Sequence, residues 1–262
     1  MTIQIEGGRY YSGDMAEPEA IPAATVIVMR EGLGAGAPEL LMVERAAAMS
    51  FAGGALVFPG GRVDPGDVAL AASHDGDPED LAARIAAIRE TIEETGVAIG
   101  LDPIGAMPAL RERLYAGEAM GALLEEAGAA LALDALVPFA RWLPRGVHHR
   151  VFDTRFYLAR APQGAEPLVD GNENVRVFWA SAQAVLDMAD RGEVRIIFPT
   201  RRNLERIARF ASFDEAAADA RAHEVRTVTP WVETRGGAEY LCIPDDLGYP
   251  VTAQPLPDAV RL

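Results

Sequence analysis

Hydrophobic and polar residues along this chain follow two spacings, and each spacing predicts a different element. Short runs rich in β-branched and other apolar residues predict strands at 23–30 and 39–45. Similar runs predict strands at 137–142, 154–159 and 175–179. The tail beyond these runs reads as short strands and turns.

The clearest helix pattern lies between Asp77 and Gly96. Asp77 is a suitable N-cap, Pro78 suits the first turn, and glycine tolerates the backbone conformation that ends a helix. Four residues form an apolar stripe for the core: Leu81, Ile85, Ile88 and Ile92.

Helical composition also predicts helices within 108–133, at 181–191 and over 200–222. Strands alternating with helices indicate a layered α/β architecture. No internal repeat and no linker divides the chain.

The domain organisation follows from these elements. Residues 1–18 are predicted to be an irregular lead-in, and 19–262 a single domain. A helical insertion is predicted at about 105–133.

Three carboxylates lie close together near the end of the main helix. Glu90 and Glu94 are one turn apart and Glu93 lies beside them. Their mutual repulsion would be relieved by a divalent cation, and Mg²⁺ prefers such oxygen ligands. A solvated acidic face is the alternative explanation in an acidic protein.

The segments around these carboxylates resemble the Nudix box. Phe58-Pro59-Gly60-Gly61 matches its glycine-led loop, and the stretch from Arg89 to Val97 matches its helix. Thr91 stands where the family has an apolar residue, and Asp67 where it has Glu. The spacer before Arg89 is also longer than usual, so the box is placed at 60–97 with an inserted loop at about 68–77.

Asp67, the insertion and further segments resemble one branch, the peroxisomal coenzyme A diphosphatase-like Nudix proteins. These further segments are 40–45, 57–61, 150–157, Glu173 with Trp179, and 198–204. The resemblance implies a Nudix-type α/β/α sandwich with a mixed sheet, plus helical insertions and a C-terminal extension.

The resemblance also implies hydrolysis of a nucleoside diphosphate linked to another group, dependent on Mg²⁺ or Mn²⁺. Coenzyme A or acyl-coenzyme A is the expected substrate, giving 3′,5′-ADP and (acyl) phosphopantetheine. Two alternatives stay open: a pyrophosphatase for ADP-ribose or dinucleotides, and a non-catalytic Nudix-fold protein that binds a ligand or regulates.

Site roles follow from the resemblance. Glu90 and Glu94, with Glu93 beside them, are the expected metal ligands. Glu93 and Glu173 are the candidate general bases, Glu173 being equally well explained as a surface acid. Arg89 is expected to orient a carboxylate by a charge-assisted hydrogen bond.

Substrate contacts are expected from a second set of residues. Gly60 and Gly61 let the loop bend around the site. Arg45 and Arg150 are candidate phosphate ligands, or members of structural ion pairs.

The amino-acid composition excludes some classes of binding partner and of chemistry. The net charge is −15, which disfavours nucleic acid, and all 24 basic residues are arginine, which excludes lysine-dependent Schiff-base and P-loop chemistry. No apolar run is long enough to cross a membrane and no signal peptide is apparent, while the single Cys242 suits a reducing cytoplasm. A homodimer is common for this fold.

Overall fold

The architecture was taken from a computed structural model of the chain. The structure describes residues 3–6, 9–12, 19–32, 36–49, 52–102, 108–145, 151–169 and 173–259. The strands in these ranges are β1 (Ile3–Glu6), β2 (Arg9–Ser12), β3 (Ile21–Arg30), β4 (Glu39–Arg45), β5 (Leu56–Val57), β6 (Gly60–Arg62), β7 (Leu101–Asp102), β8 (Ala130–Leu131), β9 (Val137–Trp142), β10 (Phe152–Arg160), β11 (Asn174–Ser181), β12 (Thr227–Val228), β13 (Trp231–Arg235), β14 (Ala238–Cys242) and β15 (Ala253–Pro255). The helices are α1 (Pro65–Ala71), α2 (Pro78–Thr95), α3 (Pro108–Tyr115), α4 (Met120–Ala127), α5 (Ala182–Asp190), α6 (Phe198–Ile207), α7 (Phe213–Ala222) and α8 (Leu256–Ala259), with a 3₁₀ turn at Leu133–Ala135.

The central sheet is mixed. Its strand order is β11-β4-β3-β10-β9-β12, with β5 paired to β4 and β6 paired to β3. The pairs β3–β10 and β9–β12 are parallel, whereas β3–β4, β4–β11 and β9–β10 are antiparallel. The predicted mixed sheet is therefore confirmed.

Alternation along each strand divides the core between the two faces of the sheet. On β3, Val26 packs in the cluster that contains the apolar residues of α2, whereas Ile27 packs in the opposite cluster. Tyr157 and Leu158 of β10 divide in the same way. The opposite cluster includes residues from α5, α6 and α7, so the sheet lies between helical layers as predicted.

Three predicted boundaries differ from the structure. A hairpin, β1 with β2, lies where an irregular lead-in was predicted; Ile3-Gln4-Ile5-Glu6 already alternates in the manner of a strand. The segment from Pro65 to Ala71 is helical, so the predicted inserted loop at 68–77 is restricted to 72–77. The predicted helix 200–222 is two helices, because Ser212 caps α7 by accepting from the Glu215 N–H.

The remaining elements surround this sandwich. Helices α3 and α4 lie where a helical insertion was predicted, accompanied by the small β7–β8 sheet. Strands β13, β14 and β15 form a separate antiparallel sheet near the end of the chain. Among the described residues, none of the helices has the length and apolar character that a bilayer span requires.

Candidate active site

Strand β6 brings the glycine-led loop against the start of β3. Gly60 pairs with Thr25 and has a φ of 154°. A Cβ at Gly60 would lie 2.3 Å from the Ala24 carbonyl oxygen, so the close approach of the two strands requires glycine. The backbone of this loop is thereby held beside helix α2.

Gly61 makes room for a carboxylate. A Cβ at this position would lie 2.3 Å from Oε1 and 2.6 Å from Oε2 of Glu90. The glycine-led loop and helix α2 therefore approach each other closely at this residue. The reason for glycine at 61 is the room that the Glu90 side chain occupies.

Helix α2 carries the three glutamates and is deeply packed. Asp77 caps it by accepting from the Glu79 N–H at 3.1 Å, as predicted. Of the predicted apolar stripe, Ile85, Ile88 and Ile92 are buried. Alanines on other sides of the helix are buried as well, so α2 is enclosed more completely than a single amphipathic stripe implies.

Arg89 joins the carboxylates of the site. Its Nε and Nη2 donate to the two carboxylate oxygens of Asp67 at 3.0 and 2.9 Å. Its Nη1 donates to Glu90 at 3.0 Å and to Glu93 at 3.1 Å, and Nη2 also donates to the Arg62 carbonyl at 3.0 Å. The hydrogen bonds and charges of these carboxylates raise the pKa of Arg89 above its ordinary value despite the opposing effect of burial. This guanidinium stays charged.

Asp67 has a structural explanation. It is 2% exposed, and besides accepting from Arg89 its Oδ2 accepts from the Asp64 N–H at 2.8 Å. The same carboxylate therefore closes the first turn of α1 and orients Arg89. Its oxygens are occupied by donors, so it is directed toward the arginine rather than toward a cation.

Glu94 is the most deeply buried carboxylate of the three, at 4% exposed. Its Oε2 accepts from the Gly60 N–H at 3.0 Å, and its Oε1 lies 3.4 Å from Nη1 of Arg45. Burial and then the neighbouring charge of Glu90 raise the pKa of Glu94 to about 8. The hydrogen bond from Gly60, the charge of Arg45 and a hydrogen bond with Asn174 oppose that rise only in part.

The pKa values of the other two carboxylates are also raised. Burial raises the pKa of Glu90 to about 7, against the opposing charge of Arg89. Burial also raises the pKa of Glu93. Glu94 is buried, and Glu90 and Glu93 expose only 18% and 17% of their side chains, so the three do not form a freely solvated acidic face.

The protein side chains supply only some of the oxygen ligands that a hard divalent cation needs. Within the described residues, no cluster of three or more His, Cys, Asp or Glu side chains is arranged to hold a metal. Arg89 already engages Glu90 and Glu93. It takes one oxygen of each and leaves the other, so Glu90, Glu93 and Glu94 all remain candidate ligands. Mg²⁺ commonly takes one or two carboxylates together with water and substrate phosphates.

The remaining predicted site residues fall in different places. Arg45, at the end of β4, reaches Glu94, and its buried Nε has no hydrogen-bond partner. Glu173 is exposed, and its backbone carbonyl accepts at 2.7 Å from the N–H of Ala46, the residue that follows Arg45. Arg150 lies outside the described residues.

Two residues of the site were not foreseen from the sequence. Asn174 is 1% exposed and hydrogen bonds with Glu94. Arg111 of α3 contacts the end of α2. Neither has a local motif; only the position of Asn174 immediately after Glu173 was a usable signal.

A similar fold is found among solved structures. No family model matches the chain. A NUDIX hydrolase from Alicyclobacillus acidocaldarius is similar in structure, with 29% identity, 76% of this chain and 96% of that chain covered, and a TM-score of 0.70.

More distant matches are the MutT protein from Methanosarcina mazei Go1, with 16% identity, 75% and 97% covered and a TM-score of 0.42, and the NUDIX domain of Shewanella oneidensis NrtR complexed with ADP ribose, with 14% identity, 73% and 88% covered and a TM-score of 0.41.

The Alicyclobacillus structure confirms the predicted fold class, a Nudix-type α/β fold. The predicted enzyme class, a Nudix pyrophosphohydrolase, is confirmed with it. The finer predictions, on substrate and on the roles of single residues, are taken up below.

Proposed function

We propose that this protein hydrolyses a diphosphate linkage in a nucleoside diphosphate attached to another group, with Mg²⁺ or Mn²⁺ as cofactor. One observation carries the proposal: Glu90 and Glu94 converge beside the Gly60–Gly61 backbone at the end of a rigid helix. Both carboxylates have raised pKa values because they are buried and close to other carboxylates. A cation is the simplest partner that relieves such repulsion.

Glu90 and Glu94 would hold the cation, which when bound neutralises the diphosphate and activates a water. Glu93, beside them, is the first candidate to accept the proton of the attacking water, and Glu173 the second. Arg89 donates hydrogen bonds to Glu90 and Glu93, so its role is to position these carboxylates.

Phosphate contacts are assigned to Arg45, Arg150 and the Gly60–Gly61 backbone. Arg45 supports Glu94 and carries a buried Nε without a partner, which leaves it a donor for a substrate oxygen after a small movement. The Gly60–Gly61 backbone borders the same space. Arg150 is retained as a phosphate ligand on the sequence resemblance alone.

Coenzyme A or acyl-coenzyme A is the proposed substrate, because the branch resemblance extends beyond the box to 40–45, 150–157 and 198–204. The products would be 3′,5′-ADP and (acyl) phosphopantetheine. The segment 68–77, an insertion according to the resemblance, separates Asp67 from α2, and its first part, as far as Ala71, belongs to α1. ADP-ribose and dinucleotides are the alternatives within the same chemistry.

A second class of function is the rival: a Nudix-fold protein that binds a nucleotide without cleaving it. It requires that Glu90 and Glu94 recruit no cation when a diphosphate is present. Binding without turnover would distinguish it.

The test is mass spectrometry of products after incubation with acetyl-coenzyme A, ADP-ribose or a dinucleoside polyphosphate, each with Mg²⁺ or EDTA. Metal-dependent 3′,5′-ADP from acetyl-coenzyme A alone supports the full proposal. Cleavage of only the other substrates overturns the coenzyme A assignment but still supports hydrolysis of a diphosphate linkage. Binding of a nucleotide without any cleavage supports the rival.

A further inference from the structure

The C-terminal end of α2, where the catalytic glutamates lie, is closed by residues from elsewhere in the chain. The last four carbonyls of a helix have no partner inside it. Here the Ile92 carbonyl accepts from the Gly96 N–H at 2.8 Å, and the Thr95 carbonyl accepts from the Leu168 N–H at 2.8 Å. The two carbonyls between them belong to Glu93 and Glu94.

One guanidinium takes both of these remaining carbonyls. Nε of Arg111 donates to the Glu93 carbonyl at 2.9 Å, and Nη2 donates to the Glu94 carbonyl at 3.3 Å. Arginine is suited to this contact because its donors form a rigid planar fork. The backbones of two successive glutamates are thus held by one side chain from α3.

The position of Arg111 is itself fixed. Leu110 and Leu114 of the same helix are each 4% exposed and pack in the cluster that contains Ile88 and Ile92 of α2. Helix α3 is therefore anchored against the helix whose end it closes. Helix α2 has no basic residue in its own last turn, so Arg111 supplies the positive charge that a helix C-terminus favours.

We infer that Arg111 is a positioning residue for the metal site, acting through the backbone of Glu93 and Glu94. By fixing the last turn of α2, it sets the direction in which the Glu94 side chain leaves the helix toward Gly60. This gives the α3 segment a role in the reaction in addition to packing. The inference rests on the proposed function, because it assumes that these glutamates serve a cation.

The experiment compares Arg111→Met with Arg113→Met. Arg113 lies on the same helix but pairs at the surface with Glu118 and Glu126, so it is a matched control. Mn²⁺ affinity is measured by calorimetry, hydrogen exchange is followed in the peptide spanning 89–99, and thermal melting checks the fold. Mn²⁺ is the probe because it requires no knowledge of the substrate.

Arg111→Met is expected to weaken Mn²⁺ binding by about tenfold, the usual effect of losing a group that orients a ligand. Exchange at the end of α2 should accelerate, while Arg113→Met resembles the wild type in both measurements. Arg111→Lys keeps the charge but not the fork, so it should fall between. If Arg111→Met does not fold, the lysine variant and Arg111→Gln carry the comparison.

Wild-type Mn²⁺ affinity and wild-type exchange in a folded Arg111 variant would overturn the inference. A purely structural role would lower the melting temperature without changing Mn²⁺ affinity, and this result would also overturn it. If the wild-type protein binds no Mn²⁺ either alone or in the presence of ADP as a diphosphate, the proposed function fails instead. Accelerated hydrogen exchange in the Arg111 variant would then show that Arg111 closes the helix end, but not that it serves a metal site.

Discussion

Asp67 and Arg89 form a two-point contact, with both oxygens of the carboxylate accepting from the guanidinium at 3.0 and 2.9 Å. The sequence left Asp67 in doubt because it replaces a glutamate and lies far from the box helix. In the folded chain Asp67 lies beside the box helix, because α1 packs on α2. The pair orients the arginine that holds Glu90 and Glu93.

Replacing Asp67 by alanine should therefore damage stability and activity together. Loss of one partner from a buried pair costs about 3 kcal/mol, because the remaining charge stays buried. Turnover should fall by about tenfold or more as Arg89 loses its orientation. Denaturant unfolding and steady-state kinetics measure the two effects; Asp75→Ala, at an exposed turn residue, is the control. A fully active Asp67→Ala protein would contradict the positioning role.

Glu94→Gln should remove turnover while keeping the fold. Glutamine has the shape of the protonated glutamate, which is the form that a pKa of about 8 favours in the metal-free protein at neutral pH. Loss of a metal ligand should lower kcat by about a hundredfold or more. Unchanged turnover would refute the assignment of Glu94, provided that circular dichroism shows the same fold as the wild type.

Gly61→Ala should displace the Glu90 carboxylate, because the added methyl would lie 2.3 Å from Oε1. We expect weaker Mg²⁺ dependence and lower turnover with only a moderate effect on melting. Gly66→Ala is the matched control: Gly66 lies in α1, a Cβ added there would meet no atom within 4 Å, and alanine should be tolerated with a gain of up to about 1 kcal/mol. Equal activity of the two variants would contradict the contact between Gly61 and Glu90.

The stability of the metal-free protein should fall as the pH rises. Glu90 and Glu94 have folded-state pKa values of about 7 and about 8, above the ordinary value of 4.5 for a glutamate. Between about pH 4.5 and pH 8 the folded state therefore binds more protons than the unfolded state, so the free energy of unfolding decreases with pH.

Melting temperatures in EDTA across this range would measure the effect. Mg²⁺ should offset the loss most strongly near about pH 8, because metal binding requires deprotonated carboxylates. Glu94→Gln should flatten the pH dependence. A wild-type protein whose stability rises through the range, with no response to Mg²⁺, would contradict the electrostatic description of the site.

The layered fold and the box helix were accessible from the sequence because their causes are local. The Asp77 cap, the buried isoleucines and the glycine at 96 are near neighbours along the chain, and all appear in α2 as predicted. The helix break at 208–212 was missed because helix-forming residues on both sides masked the cap at Ser212.

The supporting contacts of the site were not accessible in this way. Asp67 reaches Arg89 across 22 positions, and Arg45 reaches Glu94 across 49. No spacing rule connects such pairs, since the contact depends on how β4, α1 and α2 pack. Arg111 donates to the backbone carbonyls of Glu93 and Glu94, and such a contact does not depend on which side chains those residues carry.

The most direct measurement is turnover of acetyl-coenzyme A by the wild type and by Glu94→Gln, with Mg²⁺ and with EDTA, followed by mass spectrometry. The account predicts 3′,5′-ADP and acetyl-phosphopantetheine only from the wild type with Mg²⁺. Equal cleavage by Glu94→Gln, or cleavage that persists in EDTA, would contradict a metal-dependent reaction at the Glu90–Glu94 site.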